Sequence, residues 1–287
     1  MREEQILLSI SVAAYNVEKY LKKCIESCFS YKDIDKGKFE IIIVNDGSKD
    51  HTLQLASELQ ARYPYTVKII DKENGGYGST INEALAVAKG KYFKLLDGDD
   101  WFNSRDFSLL LKDLEDRTED LVLTNYFLKY MNGETEEKSI KVNIEQLNRN
   151  KSYDNVCLLK NASITQHSAI VKTEVLRKNH IKILENCFYT DHQFMFYVLL
   201  YSSSFYYLDR NIYCYRLGRD GQSVSLKGIL KHLGDNWKVL QEELSYLNER
   251  TFDNETLEVI CPYIALLAKD VIRYHLLVPY SKEHLLK

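Results

Sequence analysis

The chain has 287 residues, 45% of them hydrophobic and 28% charged, with a formal net charge of −3 at pH 7. That is globular composition, long enough for one large domain or a domain plus an appendage, and it carries no electrostatic footprint for nucleic acid. No run approaches the roughly 20 apolar residues that span a bilayer, residues 6–14 lack a cleavage-like end, and six cysteines without a CxxC pair predict a reducing, cytoplasmic setting.

Residues 6–13 predict a buried strand, after which Asn16 caps a helix whose apolar face is Leu21, Ile25 and Cys28. Residues 39–44 are nearly all apolar, as a central parallel strand should be. Asp46-Gly47-Ser48 turns, and Asp50 caps a helix that buries Leu53, Ala56 and Leu59. A third strand at 67–70 leads into Asn74-Gly75-Gly76-Tyr77-Gly78-Ser79. A helix follows with Ile81, Ala84, Leu85 and Ala88 inward, closed by Gly90. The fourth strand covers 91–96. Asn103 or Ser104 caps a helix with Phe107, Leu110, Leu111 and Leu114 inward, and 121–124 is a fifth strand. From about 124 to 154 the pattern turns polar, which predicts an edge hairpin or excursion. Residues 205–208 read as a tyrosine-rich strand. From Leu226 the chain is helical, with Ile229, Leu230, Leu233, Trp237, Leu240, Leu244 and Leu247 on a 3.6-residue period, and a second helix runs over about 255–277.

Strand–helix alternation with short connections argues a mainly parallel sheet covered on both faces. Ligands of such sheets bind outside the carboxyl ends of the strands. Every polar cluster of the first half falls there: Tyr15-Asn16, Asn45-Asp46, Asn74-Gly75-Gly76, and Asp97-Gly98-Asp99-Asp100. Burying three carboxylates at a strand end is costly unless a cation sits among them, and magnesium, manganese and calcium all take carboxylate oxygen. An acidic turn with solvated side chains is the alternative. Gly76-x-Gly78 lacks the third glycine of a dinucleotide fingerprint and follows the third strand, not the first. Trp101 stands where a calcium loop needs an oxygen ligand. Asp191 falls near a helix start, as a dipole-stabilised carboxylate or as a general base. His167 and His192 read as hydrogen-bonded or core histidines. Arg216 and Arg219 suit diphosphate capture or a solvated loop.

The ordered set of motifs from about residue 6 to residue 225 resembles family 2 glycosyltransferases, inverting nucleotide-sugar enzymes of the GT-A fold. Ser11-Val12-Ala13-Ala14-Tyr15-Asn16 resembles the opening strand motif, with Ala13 for the usual proline. Asn45-Asp46-Gly47-Ser48 resembles the nucleotide-contacting loop, with Asn45 for a frequent Asp. The stretch from Asn74 and Gly76 to Asn82 resembles the next motif, with Ile81 where many members carry Arg. Asp97-Gly98-Asp99 is the DxD-type element. Thr190-Asp191 resembles the Glu-Asp pair of the catalytic base, with Thr for Glu. Tyr215-Arg216 through Ser223-Val224-Ser225 resembles the closing loop.

The resemblance implies a GT-A domain over 1–225 with a helical region over 226–287. It implies a UDP-sugar donor contacted by Ala14, Tyr15, Asn16, Asp46, Gly76, Asn82, Asp97, Gly98 and Arg216. Magnesium or manganese would sit on Asp99, with Asp191 as base and Asp100, Trp101 and His167 on the acceptor side. The acceptor would be a glycan or lipid-linked hydroxyl. A sugar-nucleotide nucleotidyltransferase is a rival, but Ala14-Tyr15-Asn16-Val17 is not its Lys/Arg-containing phosphate loop. A non-catalytic nucleotide-sugar binder is a second rival. Lys227, Lys231, His232 and Lys238 predict either a solvated basic face or a peripheral membrane contact at the inner face of the cell membrane.

Overall fold

A computed structural model of the chain describes residues 5–130, 137–142, 147–160, 162–218, 222 and 226–277. Arg219, Ser223, Val224 and Ser225 of the closing loop lie outside the described residues. The apolar runs of the first half form β1 (Leu8–Ala14), β2 (Phe39–Asp46), β3 (Val67–Lys72) and β4 (Tyr92–Asp97), parallel in the order β3-β2-β1-β4. Their crossovers contain α1 (Leu21–Ser27), α2 (Thr52–Arg62) and α3 (Tyr77–Val87). The two-residue period of β2 feeds two cores. Ile41 and Ile43 pack into one with Leu21, Ala56 and Phe107, while Ile42 and Val44 pack into the other with Ala84 and Phe196. The register pairs Ala13 with Asp97, Ala14 with Asn45 and Asp46 with Lys72, so four strand ends share one edge.

Beyond these come β5 (Trp101–Phe102), α4 (Ser104–Glu115), β6 (Leu121–Tyr130), β7 (Glu137–Ile140) and β8 (Lys151–Tyr153). They are followed by β9 (Ala169–Lys172), α5 (Thr173–Lys178), α6 (Thr190–Tyr201) and β10 (Phe205–Leu217). β9 enters antiparallel between β4 and β6, and β10 lies parallel to β6. The expected edge hairpin is the β6–β7 pair, antiparallel from Tyr126↔Ile140 to Lys129↔Glu137. The strands expected at 121–124 and 205–208 both run further than their apolar cores. β6 and β10 pair with each other past them, across irregularities between Leu208 and Tyr213.

Two local expectations fail for physical reasons. Asn16 does not cap α1, whose N-cap is Tyr20; it sits at φ 53, donates its N–H to Ser48 Oγ (3.1 Å) and accepts from Lys49 N–H (2.8 Å). Gly90 does not close α3 in a left-handed turn, because the helix ends at Val87 and Ala88 is extended. A Cβ on Gly90 would lie 2.4 Å from Ser9 N, so close packing on β1 is what requires glycine there. The Asn103 cap is as expected, accepting from Asp106 N–H.

The C-terminal helices are α7 (Leu226–Lys231), α8 (Leu233–Asn248) and α9 (Asn254–Leu277). The buried face of α8 is Asn236, Val239, Leu240 and Glu243; Trp237 and Leu244, expected inward, are about half exposed. Val239, Leu240, Ile260, Tyr263 and Leu267 join the same core as Phe194 and Phe196 of α6. No described helix is long and apolar enough to cross a membrane.

Candidate active site

The apolar strand β4 delivers Asp97 to the shared edge, and a tight turn follows in which Asp100 N–H donates to the Asp97 carbonyl (2.9 Å). Gly98 donates to the Ala13 carbonyl (3.0 Å), and a Cβ there would come within 2.7 Å of that oxygen. The acidic turn is therefore pressed onto the end of β1, directly behind Ala14 and Tyr15. Ala14 is buried, while Tyr15 is 51% exposed at the rim.

The carboxylates are braced by Tyr77 of α3 and by residues from the second half of the chain. Asp97 accepts from Tyr77 Oη (2.7 Å) and Gln166 Nε2 (3.2 Å). Asp100 accepts from Tyr213 Oη (2.5 Å) and Arg216 N–H (2.7 Å). The Arg216 guanidinium is buried against the rings of Tyr20 and Trp101 and donates from Nε to the Asp99 carbonyl (2.7 Å). Arg216 thus supports the acidic turn from beneath.

Lys94, one turn of the pleat before this cluster, is 1% exposed. Its ammonium donates to the carbonyls of Gln166 (2.8 Å), His167 (2.7 Å) and Ala169 (3.0 Å). It thereby fixes the segment that carries Gln166 and His167. The His167 ring stacks on Tyr215, with centroids 4.3 Å apart. Burial, with Lys94 close by, pushes its pKa down to about 3, so the imidazole is neutral at pH 7.

Asp97, Asp100 and His167 each offer a ligand atom within 4.8 Å of the others. Nδ1 of His167 lies 3.1 Å from Thr165 Oγ1, and Nε2 is buried with no partner. The tautomer that donates from Nδ1 to Thr165 leaves the Nε2 lone pair free, as a metal-ligating histidine requires. Burial and the Asp99 charge push Asp97 up to about 7, and burial with Asp99 and Asp97 raises Asp100 well above the usual carboxylate range. This crowded negative charge, beside an orphan imidazole nitrogen, fits a divalent cation.

Asp191 lies in the first turn of α6, where the N–H groups are unpaired within the helix. Burial raises its pKa, opposed by His192. Its charge is felt at Asp97, Tyr77 and Tyr215, so it lies in the neighbourhood of the acidic turn. Thr190 is fully buried with an unpartnered hydroxyl. Asp46 anchors the glycine loop, accepting from the N–H groups of Gly75 (2.8 Å) and Gly76 (2.9 Å) and from Lys72 Nζ (3.0 Å). Asn82 uses both ends of its amide on Ile183, which it bonds in both directions at 2.9 Å.

The sequence reading did not single out Tyr77, Lys94, Gln166 or Tyr213. Lys94 left a signal, a lone cation inside the apolar strand Tyr92-Phe93-Lys94-Leu95-Leu96. Tyr77 stood inside the glycine loop; the other two had no local signal.

Residues 9–179 match the sequence family described as Glycosyl transferase family 2. The chain belongs to glycosyl transferase family 2. The matched segment holds all four motifs of the strand edge together with Lys94 and His167, and stops short of Asp191. Over nearly its whole length this family 2 chain is similar to the glycosyltransferase GlyG of Streptococcus pneumoniae, at 26% identity over 94% of the chain and 90% of the relative. A 113-residue stretch is 39% identical to the chondroitin synthase of Pasteurella multocida, covering 39% of this chain but only 11% of that protein. In fold, the chain matches residues 1–349 of Staphylococcus aureus TarS with a TM-score of 0.73 at 20% identity, over 97% of this chain and 77% of that one. Structures of that same protein with UDP and with UDP-GlcNAc also match, with TM-scores of 0.65 and 0.63. The architecture of this family 2 member is GT-A.

Proposed function

We propose that this chain is an inverting glycosyltransferase that moves a sugar from a UDP-sugar to a hydroxyl group of a glycan or lipid-linked acceptor, in polysaccharide synthesis. The observation that carries the reading is a carboxylate turn, Asp97–Asp100 at the end of β4, with Asp191 at the start of α6 near enough for its charge to act on Asp97. The UDP-GlcNAc complex of the structural relative supports the donor class.

The exposed Tyr15 ring and Asn16 at the rim, with the Asp46-anchored loop at Gly76, are assigned to the base and ribose. Asp97 and Gly98 turn beneath the ribose and diphosphate. Asp99, with the Asp97–Asp100–His167 group, would hold a magnesium or manganese ion, and the bound ion supplies charge neutralisation for the departing diphosphate. Asp191 takes the acceptor hydroxyl proton. The acceptor oxygen bonds to the anomeric carbon as the bond from that carbon to the diphosphate breaks, and UDP leaves with the electron pair. A positioned base contributes on the order of 10²–10⁴ in rate.

The test is UDP release from a panel of UDP-sugars with glycan acceptors, with and without Mn²⁺. Asp191→Ala is expected to retain UDP affinity and lose transfer, and Asp99→Ala to lose metal-dependent UDP binding. Equal UDP affinity with and without Mn²⁺ in the parent chain would remove the cation. Full transfer by Asp191→Ala would remove the base.

A further inference from the structure

Beside the acidic turn, with Trp101 in its wall, lies a concavity of about 740 Å³ that is open to solvent. Lys19, Lys22 and Lys23 of the α1 segment, Lys129 of β6, and the aromatic side chains of Trp101 and Phe127 line it. Its size is that of a small-molecule site. Two carboxylates also reach it, and both are engaged: Glu26 by Arg62, Glu137 by Lys129. Among the described residues Lys19, Lys22 and Lys23 have no carboxylate partner. Lys23 instead rests its ammonium over the Trp101 ring, 3.3 Å from the centroid. Burial and the neighbouring Arg216 charge lower its pKa.

The cluster is held together against its own repulsion. Lys23 and Arg216 both lie over the Trp101 ring, with the Arg216 carbon 4.8 Å from the ring centroid. An anion would relieve that repulsion, and aromatic side chains in the same wall suit a sugar ring. The wall is also shared with the reaction site. Arg216 bonds the Asp99 carbonyl and the Asp100 carboxylate, and Trp101 follows Asp100 in the chain.

We propose that this lysine-lined bowl is an acceptor subsite for an anionic saccharide, one that carries phosphate or carboxylate on or beside a sugar ring. The assignment rests on the transferase reading above and adds the charge class of the acceptor. The bowl is concave and backed by aromatic side chains, which favours a saccharide over a flat anionic membrane.

Trp101 is a built-in reporter. The chain has two tryptophans, and Trp237 is about half exposed on α8, so Trp237→Phe leaves Trp101 alone. With UDP and Mn²⁺ saturating, three probes are titrated by Trp101 fluorescence: glucose 1-phosphate, glucuronate and glucose. We expect the two anionic probes to bind at least tenfold more tightly than glucose, with an affinity that falls as salt rises. We expect Lys22→Glu and Lys23→Gln to lose that preference at unchanged UDP affinity and unchanged melting temperature. The relative response to phosphate and carboxylate names the anion. Equal binding of glucose and the anions, or anion binding unaffected by both lysine variants, would overturn the subsite. So would lysine-dependent binding to phosphatidylglycerol vesicles with no saccharide response. Loss of UDP binding at the saturation step would instead count against the transferase reading.

Discussion

Three carbonyls converge on the Lys94 ammonium at 2.7 to 3.0 Å, and an ammonium has three N–H groups to donate. A neutral amine has two, so this cage favours the charged form, while burial, opposed by the Asp97 charge, brings the pKa down to about 7. Lys94→Met keeps the volume and takes the ammonium from three carbonyls, of which Gln166's retains only a long bond from Ala169 N–H (3.4 Å). We expect a loss of about 3 kcal/mol in urea unfolding, since each buried unpaired group costs roughly 1–3 kcal/mol. A variant as stable as the parent would show that water replaces the ammonium. Asp191 makes a second prediction. The proposed base must be ionised, so transfer should fall on the acid side at a higher pH than for an ordinary Asp of about 3.9. Stability runs the other way. The folded pKa lies above the unfolded one, so the group's contribution is full below the unfolded pKa and is lost as pH rises through the folded value. Asp191→Asn should therefore raise the melting temperature at neutral pH while abolishing transfer; a lower melting temperature would contradict the burial argument. At this scale the sequence reading was uneven. Asp97, Asp100 and Asp191 are legible because carboxylates after a buried strand or at a helix start are conspicuous. Gln166 and Tyr213 are not, because what matters is a bond across 69 or 113 residues.

The elements were legible wherever one period dominated. β2, with every residue buried, and α4, with its Asn103 cap, sit where the pattern puts them. The second halves of β6 and β10 were not, because their regularity comes from pairing with each other. On α8 the periodicity was right and the face was rotated: Leu240 and Leu247 pack on the core as expected, while Trp237 and Leu244 do not. The true seam carries Asn236 and Glu243, which a hydrophobic count passes over in favour of Trp237 and Leu244. Two glycines test element packing against helix propensity. A Cβ at Gly78 in α3 would lie 1.9 Å from the Leu184 carbonyl oxygen, a backbone atom. That carbonyl belongs to a segment held by Asn82 and by Gln193 of α6. Gly78→Ala should cost about 3 kcal/mol or more by prying α3 from it. Gly234 in α8 meets nothing within 4 Å, so Gly234→Ala should stabilise by up to about 1 kcal/mol. Denaturant midpoints that move together, in the same direction, would refute the distinction.

At the level of the molecule, the C-terminal helices share one core with the sheet. Glu243, fully buried on α8, accepts from His192 of α6 at 2.9 Å, and Tyr263 of α9 stacks on that histidine at 4.1 Å. A single cooperative transition by calorimetry is the expected result, with residues 1–225 alone failing to show it; two separable transitions would mark 226–287 as an independent unit. The fold class was legible because alternation of strands and helices is a global pattern, whereas this fusion depends on which polar residues face inward. The sheet also has an assembly order. β9 is the strand that joins β4 to β6, and it arrives some 70 residues after β4 in the chain. Until it slots in, the parallel half has a raw edge, Lys94 has no carbonyls to hold, and His167 has no place beside Asp97. A nascent chain that has made every strand of the parallel half therefore still lacks part of the wall around its acidic turn, and Asp97, Asp100 and His167 come together only in the step that also closes the β4 edge toward β6.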